Sequence, residues 1–258
     1  MKLICPVCKI KLSKKDKEVV CENNHHFDYA KQGYLNLYLS NKPIHGDNAQ
    51  MVISRTNFLN KGYYQFLKER LTDLTKEYHP DVLVDLGCGE GYYTDSFLAN
   101  EKYGFDLSKS ALKHASKKDK STQYVISSIF HLPLADHTCD LAITCFAPAA
   151  IDELQRILKP GGKFIYVTPG PDHLFQMKEA LYDTPYKNPQ DNLETSLKLI
   201  NDEIIEDNAC IDNETIQQLF QMTPYAYKTS ISSTQCLKML DNLDITLQFR
   251  IRIYEKLS

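Results

Sequence analysis

The 258-residue chain has no run of about 18 apolar residues, the length a helix needs to cross a bilayer, so no membrane span is expected. No signal peptide is expected in its first residues either. Met1-Lys2-Leu3-Ile4-Cys5-Pro6 carries one basic residue and a short apolar stretch that Pro6 breaks at once. Internal repeats and low-complexity segments are absent, which argues against solenoid and disordered classes. The compartment expected on these grounds is the cytoplasm. Thiols stay reduced there, so the eight cysteines are not expected to build a disulfide framework.

What is present is enough apolar residue, 43%, to bury a core, with an ordinary 24% of charged residues. The length fits one large domain with a small appendage, or two modest domains. Net charge is −3, but its sign changes along the chain. Residues 1–78 hold 13 Lys/Arg against 8 Asp/Glu, and the remainder holds 17 against 25. The basic front suits a polyanionic partner, and is equally the ordinary variation of a Lys-rich sequence.

Three of the cysteines lie in the first 21 residues. Cys5-Pro6-Val7-Cys8 is a Cys-x-x-Cys knuckle, followed by Cys21 and then by His25 and His26. Three thiolates and an imidazole suit tetrahedral zinc, and nothing here calls for an open coordination position, so a closed structural ion is expected. A redox Cys-x-x-Cys would open a helix in a thioredoxin-like pattern, which is missing. On spacing, either His25 or His26 can be the fourth ligand. Residues 1–35 form a module too short to hold itself together without the metal. Residues 36–78 are expected to be a linker and helical segment, and 79–258 the main domain. Within the linker, 40–50 is expected to be a loop, and Gly62 to divide two helices between Met51 and Tyr78.

Strand and helix patterns alternate after residue 80. Strands are expected at Val82–Leu86, Lys102–Leu107, Gln123–Ser127, Cys139–Phe146 and Lys163–Thr168. Helices are expected near 92–99, near 109–117 with Ser108 as cap, and at Ile151–Leu158. This alternation implies an α/β fold with a parallel sheet covered on both faces, whose ligands sit beyond the carboxyl ends of the strands. Ser196–Ile205 and Asp244–Tyr254 read as two late strands around a helix at 213–221, able to add an antiparallel edge.

The first strand runs into Asp85-Leu86-Gly87-Cys88-Gly89-Glu90-Gly91. Glycine at every second position permits a tight turn and close approach of backbone N–H groups to a ligand, and the helix expected after it would offer its amides to anionic groups. The third glycine comes too early for the dinucleotide spacing Gly-x-Gly-x-x-Gly. Asp106 ends the second strand, where a carboxylate can accept both hydroxyls of a ribose. A nicotinamide site or a generic turn is the alternative. Residues 80–170, including Pro160-Gly161-Gly162, resemble a class I, Rossmann-like, S-adenosylmethionine-dependent methyltransferase. The resemblance implies that Gly87, Glu90 and Gly91 line the methionine part of the cofactor, with Asp85 in the same set. Asp106 would bind the ribose, and Ser127-Ser128 would lie near the adenine.

A wider set of segments extends the match. It comprises His25–Leu37, Gly46-Asp47, Met51, Arg55, Phe58-Leu59, Gly62-Tyr63-Tyr64, Gly89–Thr94, Phe146-Ala147-Pro148, Thr168–Leu174 and Met222–Ala226. Together these resemble the RlmA family of large-subunit (23S) ribosomal RNA guanine-N1 methyltransferases along essentially the whole chain. The resemblance assigns zinc to Cys5, Cys8, Cys21 and His25. It adds Tyr64, Tyr93, Thr94 and His173 to the cofactor site, and it implies an RNA hairpin loop as substrate. The short linker and Phe146 lean towards the branch typical of Gram-positive bacteria. A homodimer is compatible with the sequence.

Guanine N1 bears a proton at neutral pH, so a base or polarising contact is needed. Asp152 and Glu153 are candidates, but read better as first-turn helix acids. No catalytic base is assigned. Phe146 is either a stacking platform for the target base or a core residue, and Lys9, Lys11, Lys14, Lys15 and Arg55 are expected phosphate contacts, with a solvated turn between the knuckles as the equal alternative for the run Lys14–Glu18. The rival readings are methylation of another RNA or a small metabolite, and a catalytically idle RNA-binding protein.

Overall fold

Val82, Val84 and Leu86 of β5 (Val82–Leu86) face one apolar cluster while Leu83 faces another, so this strand is buried on both sides. It is central to an eight-stranded sheet in a computed structural model that describes residues 1–40, 49–190, 192–223 and 231–257. Beside β5 lie β6 (Glu101–Asp106), β7 (Thr122–Ile126), β8 (Cys139–Cys145) and β9 (Leu158–Pro169), all parallel to one another. The two late strands, β10 (Lys198–Asp212) and β11 (Asn242–Glu255), form a long antiparallel hairpin that docks β11 on β9. With β4 (Leu35–Asn36) at the far edge, the strand order is β10-β11-β9-β8-β5-β6-β7-β4. The mostly parallel sheet with an antiparallel edge is therefore as expected. The hairpin is longer than its apolar alternation indicated, because β10 continues through Glu206-Asp207-Asn208, paired residue by residue with β11.

One face is covered by α1 (Ala49–Asn60), α2 (Gln65–Tyr78), α5 (Phe175–Leu181), α6 (Asn213–Met222) and α7 (Ile231–Met239), which contribute Phe58, Leu71, Met177, Leu219 and Leu237 to a common core. The other face packs Leu154 and Ile157 of α4 (Ile151–Ile157). α3 (Lys109–Lys118) covers β7 and starts at Ser108, whose Oγ accepts from Ala111 N at 3.2 Å, the cap expected from the sequence. Among the described residues no helix is long and apolar enough to cross a membrane. The expected loop at 40–50 lies mostly outside the described residues, as do Gly46-Asp47 and Pro224–Ala226.

One expectation fails. The helix near 92–99 is a single 3-10 turn, Thr94–Ser96, after which Phe97 is extended and buried. The connection from β5 must return along the sheet to the start of β6. The intervening residues 87–100 make the glycine turn first, and the rest must cover the ~17 Å length of a five-residue strand. The chain therefore spends one turn and then extends. Anion binding at the amides of a long helix falls away with it.

The N-terminal module folds as a three-stranded antiparallel sheet, β1 (Ser13–Lys15), β2 (Glu18–Val20) and β3 (His26–Asp28). It is not a separate body. Leu3, Leu12 and Val19 join the core beneath β5 and β6, Leu3 bridges Leu134, and β4 (Leu35–Asn36) adds a parallel edge strand to β7.

Candidate active site and metal centre

A cleft of about 980 Å³ opens at the carboxyl ends of β5, β6, β8 and β9. Its floor is the glycine turn. Gly87 N and Cys88 N both donate to Phe105 O, at 2.8 and 3.1 Å, which ties the turn to β6. Gly87 (φ +77°) and Gly91 (φ +76°) lie in the left-handed region, and a Cβ would meet Ala147 at 2.6 Å in the first case and Tyr124 Oη at 2.6 Å in the second.

Asp106 is oriented by two backbone amides. Gly89 N donates to Oδ2 at 2.9 Å and Ser108 N to Oδ1 at 2.7 Å. Asp85 is buried below the turn and accepts from Thr94 Oγ1 at 2.6 Å. Burial, with the Asp106 charge adding to it, pushes the Asp85 carboxyl up to about 7, against the pull of the Thr94 hydrogen bond and of Lys102. Glu90 is also buried, and its Oε2 lies 3.8 Å from Arg55 Nη1 on α1.

Tyr64 and His173 meet across 109 residues of sequence, with Tyr64 Oη 3.3 Å from His173 Nε2. Gln248 N donates to His173 Nδ1 at 3.2 Å, which leaves the proton of the neutral ring on Nε2. Burial, helped by Lys178, pulls the imidazole down to about 3, so it stays neutral at ordinary pH. With Nδ1 accepting and Nε2 protonated, His173 is a fixed hydrogen-bond donor to Tyr64 and has no lone pair to offer a substrate.

Of the residues named from the sequence, Tyr64, Asp85, Gly87, Glu90, Tyr93, Asp106 and His173 line this one cleft. Gly91 and Thr94 stand behind it: Gly91 against Tyr124, Thr94 holding Asp85. Ser128 lines the cleft, while Ser127 Oγ turns to the backbone at Ser128 and His131. Asp152 and Glu153 are outside the lining, and Glu153 is engaged with Arg156 and Leu132 N. Phe146 is 43% exposed at the cleft with a left-handed backbone (φ +63°), which is not a core position. The sequence reading missed Leu107, Ile129 and Phe130, an apolar wall, and Tyr166 and Thr168 on β9. Strand-end position was the available signal for the last two.

The lining fits S-adenosylmethionine. Asp106 can take the ribose hydroxyls, Glu90 an ammonium group, and the Leu107–Ile129–Phe130 wall a purine. Tyr93 Oη is buried and makes no hydrogen bond among the described residues, leaving a polar atom that a ligand can satisfy.

At the N-terminus Cys5, Cys8, Cys21 and His25 bring their ligand atoms within 4.8 Å of one another. Cys21 Sγ lies 3.3 Å and Cys5 Sγ 3.5 Å from His25 Nδ1, and Cys8 Sγ lies 3.6 Å from Cys21 Sγ. A zinc–sulfur bond of ~2.3 Å gives a tetrahedral edge of ~3.8 Å, so the donor set is the size of a zinc site. His26 faces away, with Nδ1 2.8 Å from Glu18 Oε2 and Nε2 3.1 Å from Asn24 Oδ1.

Residues 3–42 match the family model described as RlmA, N-terminal, and residues 84–166 match a methyltransferase domain. A Streptomyces fradiae protein named 23S rRNA (guanine(748)-N(1))-methyltransferase is 35% identical over 188 residues, covering 69% of this chain and 67% of that protein. The chain belongs to the RlmA family. The Bacillus subtilis (strain 168) protein YxjB is 26% identical over 280 residues, covering 96% of this chain and 95% of its own. The family match thus spans both the zinc ribbon and the cleft, and the ribbon's membership agrees with the Cys/His cluster found in space.

Proposed function

We propose that this protein methylates N1 of a guanine in a hairpin loop of large-subunit ribosomal RNA, using S-adenosylmethionine. The observation that carries the reading is the union, on one chain, of an RlmA-type zinc ribbon with a methyltransferase cleft. The 35% identity to the Streptomyces fradiae relative supports the equivalent of the guanine that its name numbers 748 as the acceptor.

When bound, S-adenosylmethionine supplies an electrophilic methyl group on a positively charged sulfur. The residues of the cleft supply alignment, the main need of an in-line displacement. Asp106, held by two amides, fixes the ribose. Tyr64, fixed by the neutral His173, and the Tyr93 ring wall the reacting end. Phe146, presented by its left-handed backbone at the end of β8, offers a face on which an unpaired guanine stacks. Such stacking contributes ~1–3 kcal/mol per base in single-strand binders. The acceptor must be out of the helical stack to reach this depth. With the donor bound in line, N1 would take the methyl group, the donor leaving as the neutral thioether, and release its proton to water. The cleft carboxylates have structural engagements: Asp85 with Thr94, Asp106 with two amides, Glu90 with Arg55.

Mass mapping of large-subunit RNA from a strain lacking this protein tests the reading. Loss of one N1-methylguanosine, restored by the purified protein and S-adenosylmethionine, is the expected result. An unchanged modification map would sink it.

A further inference from the structure

The cleft holds a charge pattern that assigns a role to a residue on its rim. Among the described lining residues the acids are Asp85, Glu90 and Asp106, and the one permanently basic side chain is Arg55, since His173 is buried with its lone pair satisfied. The ligand to be matched carries a sulfonium, an ammonium and one carboxylate. Acids serve the first two and the ribose hydroxyls. A carboxylate left in a cleft lined by three acids would be repelled unless a cation meets it.

Arg55 is placed for that. It lies on α1, whose Val52, Ser54, Phe58 and Leu59 are buried, and Ser54 Oγ donates to Gln221 Oε1 at 2.6 Å, anchoring α1 to α6. Arg55 Nη1 stands 3.8 Å from Glu90 Oε2 and 3.7 Å from the position a Cβ on Gly89 would take. Arg55 and Glu90 thus form an ion pair directly over the glycine turn, with the two charges side by side as the carboxylate and ammonium of an amino-acid headgroup are. We infer that Arg55 binds the carboxylate of the methionine moiety while Glu90 binds its ammonium group, so that α1 closes the cofactor site with a zwitterion clamp. This inference rests on the methyl-donor reading above, and it moves Arg55 from the expected RNA contacts to the cofactor.

Two nucleosides separate the headgroup from the rest of the ligand. S-adenosylhomocysteine retains the amino-acid headgroup, and 5′-methylthioadenosine lacks it. Affinities of the full-length protein for both are measured by titration calorimetry. Arg55→Gln should weaken S-adenosylhomocysteine roughly 10- to 100-fold, the range of a lost charge-assisted hydrogen bond, and leave 5′-methylthioadenosine within about twofold. Retained binding of the second nucleoside also certifies the fold. If Arg55→Gln binds neither, Arg55→Lys decides, with a few-fold loss confined to S-adenosylhomocysteine expected from its single-point ammonium. Equal change for both nucleosides in Arg55→Lys, or no change for S-adenosylhomocysteine in Arg55→Gln, overturns the clamp. Weaker RNA binding with a salt slope reduced by about one, and unaltered nucleoside affinity, would return Arg55 to a phosphate contact. A wild-type protein that binds neither nucleoside fails the methyl-donor reading itself and takes the clamp with it.

Discussion

Gly91→Ala is expected to destabilise the protein by about 2–5 kcal/mol, and the structure separates the two causes. The backbone there has φ +76°, in the left-handed region, which costs an L-residue ~1–2 kcal/mol. The added Cβ would also meet Tyr124 Oη at 2.6 Å, Ala115 Cβ at 3.1 Å and Tyr124 Cζ at 3.3 Å. Tyr124 cannot swing aside. It is 1% exposed, and its ring already abuts Gly104, where a Cβ would lie 2.8 Å from it. Overpacking of this kind adds ~1–3 kcal/mol. Gly161 provides the control. It has the same φ of +76° with nothing within 4 Å of its would-be Cβ, so Gly161→Ala should cost only the backbone share. Urea unfolding midpoints of the zinc-replete proteins, at constant m-value, give the comparison. Tyr124→Phe removes the oxygen and should recover part of the loss in the Gly91→Ala background. The reasoning is refuted if the two alanine variants are equally stable, or if Tyr124→Phe brings no recovery.

Three further outcomes are expected. The Asp85 carboxyl is raised to about 7 in the folded protein, so the folded state holds a proton that the unfolded chain has released above its usual value near 4. Relative to Asp85→Asn, the wild type should therefore lose stability as pH rises from about 4 to about 7, by a few kcal/mol, and change little above that; unfolding both proteins across this range would expose the opposite slope if the burial argument is wrong. His25→Ala should purify without zinc and His26→Ala with one equivalent, as measured by atomic emission; because Leu3, Cys5 and Cys21 share a core with β5 and β6, chelation should also lower the melting temperature of the whole protein. Asp106→Ala removes the acceptor for Gly89 N and Ser108 N as well as the ribose contact, and should weaken S-adenosylhomocysteine at least tenfold, with unaltered affinity counting against the ribose assignment.

Most of the sheet was legible in the chain because its signals are local. Buried parallel strands read as apolar runs, Ser108 as a cap, and the every-second-residue glycines as a turn that only small residues can make. The cysteine spacing was likewise enough to announce a metal site. The choice between His25 and His26 was not legible from spacing, since both are within reach of Cys21; it depends on β3 turning His26 toward Glu18. The 3-10 turn at Thr94–Ser96 was misjudged as a helix because apolar periodicity does not record how far a connection must travel.

Local sequence was enough for the α/β class, the ligand turn at Asp85–Gly91 and the three metal-binding cysteines, since each is marked by short spacings or apolar runs. Which side chains share the cleft is set by contacts between distant segments. Tyr64 meets His173 across 109 positions, and Arg55 comes over Glu90 from α1, a separate helix that precedes β5 in the chain. Those contacts are set by how α1 and α2 pack on one face of the sheet. Burial leaves apolar runs in the chain, but which buried segments meet depends on complementary shape, and that is not recorded in local order.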